Sequence, residues 1–254
     1  MNIPADVNAR LKRARHVVVF TGAGVSAESG IPTFRDRQTG LWRNFDAQWL
    51  ATPEAFERDP ALVWGWYEWR RAQVLASQPN AAHRAIAALV RCVPRLTLIT
   101  QNVDDLHERA GSPDVLHLHG RLCSPYCCTC GREHSAGSPE PPGPDGGRRL
   151  EPPSCGHCGG RIRPGVVWFG ECLPRQAWEQ AVDAARGCDA FLCVGTSSVV
   201  EPAAGLTRLA IGAGAATIQV NIDSTYLDEL VTLNLRGPAA SMLPRLLTGI
   251  WPDD

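Results

Sequence analysis

An α/β domain built on a parallel sheet, with a small cysteine-rich insertion, is the fold that this sequence predicts. Three observations predict it. Short apolar runs of strand length alternate with amphipathic stretches, two Cys-x-x-Cys pairs sit close together in mid-chain, and a glycine-rich turn follows the first apolar run. With 254 residues, 44% hydrophobic and 20% charged, the chain can bury a full core, which excludes a wholly disordered protein. The 24 glycines and 20 prolines imply many turns. A net charge of −1 argues against a nucleic-acid binder, whose phosphate partner calls for a basic excess. No apolar run nears the roughly 18 residues needed to cross a bilayer. Residues 1–16 carry Asp6, Arg10, Lys12, Arg13 and Arg15 and lack the apolar stretch of a secretory signal. A soluble cytoplasmic protein, without nucleic-acid or membrane contact, is expected.

The expected strands are 17–20, 96–100, 115–118, 190–195 and 216–220, all apolar and rich in β-branched residues. Near-continuous runs of this kind belong to a parallel sheet covered on both faces. Helices are expected over 60–77, 80–92, 174–186, 202–212 and 242–249. Asn80 is a plausible N-cap for the second, with Ala82, Ile86, Leu89 and Val90 forming its apolar face. Residues 135–154 turn to Pro, Gly and charge without periodicity, and they read as a mobile loop. The expected division is a domain of residues 1–120 and 164–254, interrupted by an insertion at 121–163.

That insertion holds the cysteine pattern. Cys127-x-x-Cys130 and Cys155-x-x-Cys158 are separated by 24 residues, and each pair is followed by Gly131 or Gly159. Two such pairs read as knuckles of one tetrahedral zinc site. A disulfide pair is the competing reading, but it wants a secretory context. Cys128-x-Cys130 remains an alternative register, with Cys127 preferred because Cys-x-x-Cys lets one knuckle supply two ligands. Four thiolates fill the coordination shell, so the metal is expected to be structural.

The first strand runs into Gly22-Ala23-Gly24-Val25-Ser26-Ala27, a G-x-G-x-x-A turn of the Rossmann-like kind. Such glycines let backbone N–H groups approach a pyrophosphate; a plain strand-to-helix turn is the bland alternative. No acidic second strand follows about 20 residues on, which disfavours an ordinary dehydrogenase. The longer string continues through Glu28-Ser29-Gly30-Ile31-Pro32-Thr33-Phe34-Arg35. Together with Thr100-Gln101-Asn102-Val103-Asp104, His119-Gly120, residues 166–171 (V-V-W-F-G-E), Gly195-Thr196-Ser197-Ser198 and Val220-Asn221, it resembles the sirtuins, the NAD-dependent protein lysine deacylases. These blocks follow family order and span about residues 10–248.

The resemblance implies NAD and acyl-lysine meeting in a cleft between a Rossmann-type domain and a zinc domain. It assigns NAD contacts first to Gly22, Ala23, Gly24, Ser26, Glu28, Phe34 and Arg35. It adds Gln101, Asn102 and Asp104, which leave the second strand and match residues holding nicotinamide and its ribose. Gly195, Thr196, Ser197, Asn221, Asp223 and Ala239 complete the implied set. Some of these positions also have reasons of their own. Small residues after an apolar strand expose donors to phosphate, and the Asn221 amide suits a ribose hydroxyl. Asp104, taken alone, is more often a helix N-terminal acid than a ligand.

His119 is the expected proton-transfer residue, since imidazole titrates near neutral pH. His117 is its rival on the same strand face, and the sirtuin His-Gly step selects His119. The family reaction releases nicotinamide, free lysine and 2′-O-acyl-ADP-ribose, with His119 taking a proton from a ribose hydroxyl. Val167, Trp168, Phe169 and Gly170 are implied to meet an acyl-lysine protein substrate bound as an extended peptide.

Tyr67 and Arg70 stand three residues apart on an expected helix, so they share a face. A phenol and a guanidinium together can hold a carboxylate. Tyr-x-x-Arg here resembles the class III sirtuins, which remove succinyl, malonyl and glutaryl groups. Ala47 is likewise similar to that class, where a small residue leaves room for a longer acyl chain. Glu201 departs from the pattern, because members of the class often carry an aromatic there. The expectation is a monomeric deacylase preferring acidic acyl groups over acetyl. An NAD- or ADP-ribose-binding regulator without turnover and an ADP-ribosyltransferase are the competing readings.

Overall fold

Near the N-terminus, Val7 and Leu11 lie four residues apart and bury one face of α1 (Ala5–Arg13). The chain then enters β1 (His16–Thr21) and two short 3-10 turns, Ala23–Val25 and Ala27–Ser29. The structure, a computed structural model, describes residues 3–33, 45–139 and 147–251.

Four helices follow: α2 (Ala47–Leu50), α3 (Pro53–Arg58), α4 (Pro60–Ala76) and α5 (Ala81–Ala88). Proline opens both α3 and α4, where its missing N–H costs nothing. Thr52 caps α3 by accepting from Ala55 N–H, and Asp59 caps α4 by accepting from Leu62 N–H. The expected cap at Asn80 is present, as a capping box with His83. The chain then passes β2 (Arg95–Thr100), α6 (Leu106–Arg109) and β3 (Leu116–His117). Two short antiparallel strands, β4 (Tyr126–Cys127) and β5 (Ile162–Arg163), follow. The last part runs α7 (Arg175–Gly187), β6 (Ala190–Val194), α8 (Gly205–Gly212), β7 (Ala216–Asn221), β8 (Leu233–Arg236) and α9 (Ala239–Ile250).

The large sheet is all parallel, in the order β3-β2-β1-β6-β7-β8. Counting only its own strands, this is the doubly wound order 3-2-1-4-5-6. The order reverses between β1 and β6, the place where sheets of this order take their ligands, in a crevice at the carboxyl ends of the strands. β1 is buried on both faces. Val17 and Val19 pack under α1, α5 and α9, while Val18 and Phe20 pack under α7 and α8. A third apolar cluster joins α2, α3 and α4 to Leu122, Cys127, Ile162 and Trp168.

Each expected strand has a counterpart, although β3 is shorter than 115–118. β4, β5, β8, α1, α2, α3 and α6 are additions to the expected elements. α9 starts earlier than expected, at Ala239. The segment 135–154, expected as a mobile loop, is pinned to α4 at its described ends. Arg71 donates to the Gly137 carbonyl (2.9 Å), and Leu150 N–H donates to Ala61 (2.9 Å). Gly65 lets the chain pass there: a Cβ would lie 2.1 Å from the Arg148 carbonyl oxygen. Among the described residues, no helix is long and apolar enough to cross a membrane.

Candidate active site

The loops leaving β1 and β6 touch at the crevice. Gly24 N–H donates to the Gly195 carbonyl (2.8 Å) and Gly22 N–H to Val194 (3.0 Å). A Cβ on Gly22 would come within 2.8 Å of Thr196, and one on Gly24 within 2.8 Å of Gly195. Gly195 itself has φ 61°, a left-handed conformation that suits glycine. Ala23 stays half-buried at this junction.

Neutral amides and hydroxyls knit the neighbouring loops. Gln101 donates to Thr196 Oγ1 (2.8 Å), and Asn221 donates to the Thr196 carbonyl (2.8 Å). Ser26 donates to Asp104 (3.0 Å) and accepts from Asn102 (3.1 Å). Asp104 also accepts from Leu106 N–H (3.1 Å), so it serves the α6 terminus as well. Burial raises its carboxyl above the ordinary value, against those two hydrogen bonds. Ser197 is half-buried beside Thr196. Glu28 accepts from Ala240 N–H (2.7 Å), tying the first loop to α9 next to Ala239. The Asp223 carbonyl accepts from Arg236 at the far rim. Phe34 and Arg35 lie outside the described residues.

His119 Nδ1 lies 3.0 Å from the Gln101 carbonyl oxygen, which can only accept. Nδ1 therefore carries the proton, and Nε2 keeps its lone pair. Burial lowers the His119 pKa, opposed by that backbone hydrogen bond, so the neutral base is favoured. His117 differs. Its Nδ1 faces the Asn102 carbonyl (3.1 Å) and its Nε2 faces Glu108 (2.8 Å), which also accepts from Arg121 (2.9 Å). With both nitrogens engaged, His117 is a clamp under Asn102.

Two further histidines escaped the sequence reading. His83 and His107 meet edge-to-face, ring centroids 4.8 Å apart, beneath the first loop, facing Ser26 Oγ (3.4 Å) and Thr21 Oγ1 (3.0 Å). Burial pushes them down to about 4 and about 3, so both are neutral. His83 stands at the N3 position of α5 and completes its capping box.

The opposite wall comes from α4 and residues 166–170. Val167 N–H donates to the His119 carbonyl (2.9 Å), which sets this segment beside the base. Trp168 Nε1–H donates to the Tyr67 hydroxyl (3.1 Å). Arg70 lies over the Trp66 ring at 4.9 Å and the Tyr67 ring at 5.8 Å. Burial lowers the Arg70 guanidinium from its ordinary value, while Tyr67 and Asp104 oppose the shift. Tyr67 is pushed up to about 12 by burial, so the phenol stays protonated. Ala47 opens α2 and packs on the same apolar cluster. Phe169 and Gly170 are exposed, and Phe169 N–H donates to Ala51 (2.9 Å). Glu201 pairs with Arg208 (2.6 Å) on the surface.

The structure gathers Cys127, Cys130, Cys155 and Cys158, with all four sulfurs within 4.8 Å of one another. Cys127 Sγ lies 3.5 Å from Cys158 Sγ, and Cys130 Sγ lies 3.8 Å from Cys155 Sγ. A tetrahedron with Zn–S bonds of about 2.3 Å has edges of about 3.8 Å, so the four thiols are placed to bind one zinc ion. Cys128 stands outside the cluster, which decides the register in favour of Cys127.

A family model described as the Sir2 family matches residues 22–202. The chain belongs to the Sir2 family, the sirtuins. An NAD-dependent protein deacylase of Methylococcus capsulatus is 56% identical over 250 residues, covering 98% of each chain. A Sir2 homologue solved as its NAD complex is 42% identical, covers 98% of this sirtuin and 94% of its own chain, and superposes with a TM-score of 0.90. A Sir2 protein solved with a p53 peptide and NAD+ is 29% identical, with 98% of each chain covered and a TM-score of 0.79.

Proposed function

We propose that this sirtuin is an NAD-dependent protein lysine deacylase that prefers acyl groups ending in a carboxylate. The deacylase reading rests on the family and on the relatives named above. The acyl preference rests on one observation: Tyr67 and Arg70, on one face of α4, stand beside the wall formed by Trp168.

The crevice suits NAD. The small residues of the two touching loops, Gly22–Gly24 and Gly195–Ser197, suit a pyrophosphate, and the Gln101, Asn102 and Asn221 amides suit ribose and carboxamide. When bound, NAD supplies a ribose carbon from which nicotinamide departs. His119 Nε2 takes a proton from the ribose hydroxyl, with Gln101 holding the ring in the required tautomer. Asp104, Ser26 and Asn102 hold one another at the base of the crevice. Val167, Trp168, Phe169 and Gly170 take the substrate as an extended peptide, as residues from two walls converge on its acyl-lysine.

Zinc on the four thiolates is structural, because a full sulfur shell leaves no position for substrate. The domain reading is residues 1–120 and 164–254 for NAD and 121–163 for the metal. A monomer in the cytoplasm completes the proposal.

The test compares kcat/KM on matched succinyl- and acetyl-lysine peptides, with nicotinamide and acyl-ADP-ribose followed by mass. Arg70→Met keeps much of the volume but removes the guanidinium. A charge-assisted hydrogen bond contributes about 1.5–3 kcal/mol, so succinyl turnover should fall by roughly one to two decades. Acetyl turnover should change little. An equal fall on both substrates makes Arg70 a structural residue and removes the acidic-acyl preference.

A further inference from the structure

Arg163 closes β5, in the small sheet beside the large one, and no feature of its sequence neighbourhood draws attention to it. Its guanidinium is nevertheless buried among aromatic rings. The carbon Cζ lies 3.6 Å from the Trp168 ring centroid and 5.2 Å from that of Tyr126, its cross-strand partner. Its remaining contacts fix the plane of the group. Arg163 donates to both carboxylate oxygens of Glu171 (2.6 and 2.8 Å) and to the Val166 carbonyl (3.1 Å).

Trp168 is held from several sides as a result. Arg163 covers one face of the indole, and the Phe56 ring packs at 5.2 Å. Its backbone N–H donates to Glu171 Oε2 (2.8 Å), so Glu171 joins Arg163 to the Trp168 main chain. Its indole N–H donates to Tyr67. Indole N–H is a donor only, so Tyr67 must use its oxygen as the acceptor. The phenol proton then points away from Trp168.

We propose that Arg163, with Glu171, is a positioning residue for acyl selection: it locks the Trp168 indole so that Tyr67 presents its hydroxyl proton to the acyl carboxylate. This rests on the reading of Tyr67 and Arg70 as the acidic-acyl site. Arg163 bonds to Glu171 and the Val166 carbonyl and stacks on the indole, and so acts through Trp168. An acetyl group has no carboxylate and does not use the Tyr67 proton, so the effect is one of selectivity. Tyr67 stays protonated across the working range, which keeps it a donor.

Arg163→Lys keeps the charge but loses the planar stacking face and the two-pronged pairing with Glu171. Losing one neutral donor's alignment is worth roughly threefold to tenfold. The succinyl-to-acetyl ratio of kcat/KM should therefore fall by about that factor. In a Tyr67→Phe background, Arg163→Lys should leave the ratio where Tyr67→Phe put it. A second readout follows the indole itself. In 15N-labelled protein, the Trp168 Nε1–H peak, assigned by its loss in Trp168→Phe, should exchange faster with solvent in Arg163→Lys. Zinc content and Tm establish that the variant is folded. If it is not, Glu171→Gln serves instead, since it keeps an acceptor for Trp168 N–H and removes the ion pair.

An unchanged ratio, or a further equal fall in the Tyr67→Phe background, overturns the lock, and so does an unchanged indole exchange rate. Failure of the underlying reading looks different: Arg70→Met then lowers both substrates alike, whatever Arg163→Lys does.

Discussion

The two walls of the cleft are built from different materials. On the cofactor side, glycine backbone meets glycine backbone, with a Cβ on Gly24 coming within 2.8 Å of Gly195. Around it stand neutral amides, hydroxyls and two histidines held neutral by burial. On the acyl side, guanidinium groups lie against aromatic rings: Arg70 over Trp66 and Arg163 over Trp168. The first wall is close-fitting backbone, and the second is buried charge against rings. Shape tolerates no added atom, whereas charge discriminates between substrates that differ only in charge.

Substitutions on each wall should therefore fail in different ways. The largest effect is expected at the junction, where His119→Ala removes the base. Deacylation should fall by roughly 10²–10⁴-fold on every acyl group, with zinc content and Tm kept. Comparable turnover at saturating NAD would take the proton-transfer role from His119. Cys130→Ser comes next. It should bring bound zinc down from one per chain and lower Tm, because a thiolate of a four-sulfur site is lost. Cys128→Ser should retain its metal, and the reverse pattern in metal analysis would contradict the cluster.

Gly24→Ala tests the close-fitting wall. A methyl group there must displace backbone, at a cost of about 1–3 kcal/mol, and KM for NAD should rise by up to roughly a hundredfold. The succinyl-to-acetyl ratio should stay constant, and a shift in it would blur the contrast between the walls. The smallest effect concerns acid. Burial holds His83 and His107 at about 4 and about 3 when folded, below the ordinary imidazole value of 6.5. The unfolded chain takes up their protons first, so stability is full above about pH 6.5 and declines as pH falls toward 4. Urea midpoints measured over that window should decrease, and replacing both histidines by Asn should flatten the slope.

How much of this was legible depended on whether a residue's role is local. β1 and β6 are buried along their whole length, and their apolar runs announce them. β8 is an edge strand, Leu233–Arg236, with one buried residue, so its pattern carries little contrast. The Gly22–Ala27 turn and the two Cys-x-x-Cys pairs are contiguous in sequence and readable there. Spacing alone left Cys127 and Cys128 open, since only the fold shows which sulfur points inward. His83, His107 and Glu108 act through partners brought together by the sheet, and nothing in their own neighbours marks them. The same holds for Arg163, whose work depends on Trp168 and Tyr67. Residues 135–154 looked free because backbone carbonyls hold their described ends, and backbone contacts leave no trace in side-chain pattern.

The insertion is entered and left through a narrow neck. Gly120 bridges Val166, Arg121 N–H donates to the Gly165 carbonyl (2.7 Å), and Val167 N–H donates to His119. The two ends of the intervening chain are thus already stapled together, whatever lies between them. Lengthening a closed loop costs only about 0.6 kcal/mol per doubling. Residues between the knuckles can accordingly be gained or lost over evolutionary time with little thermodynamic penalty. His119, the proposed base, sits on the near side of the staple and is insulated from such changes.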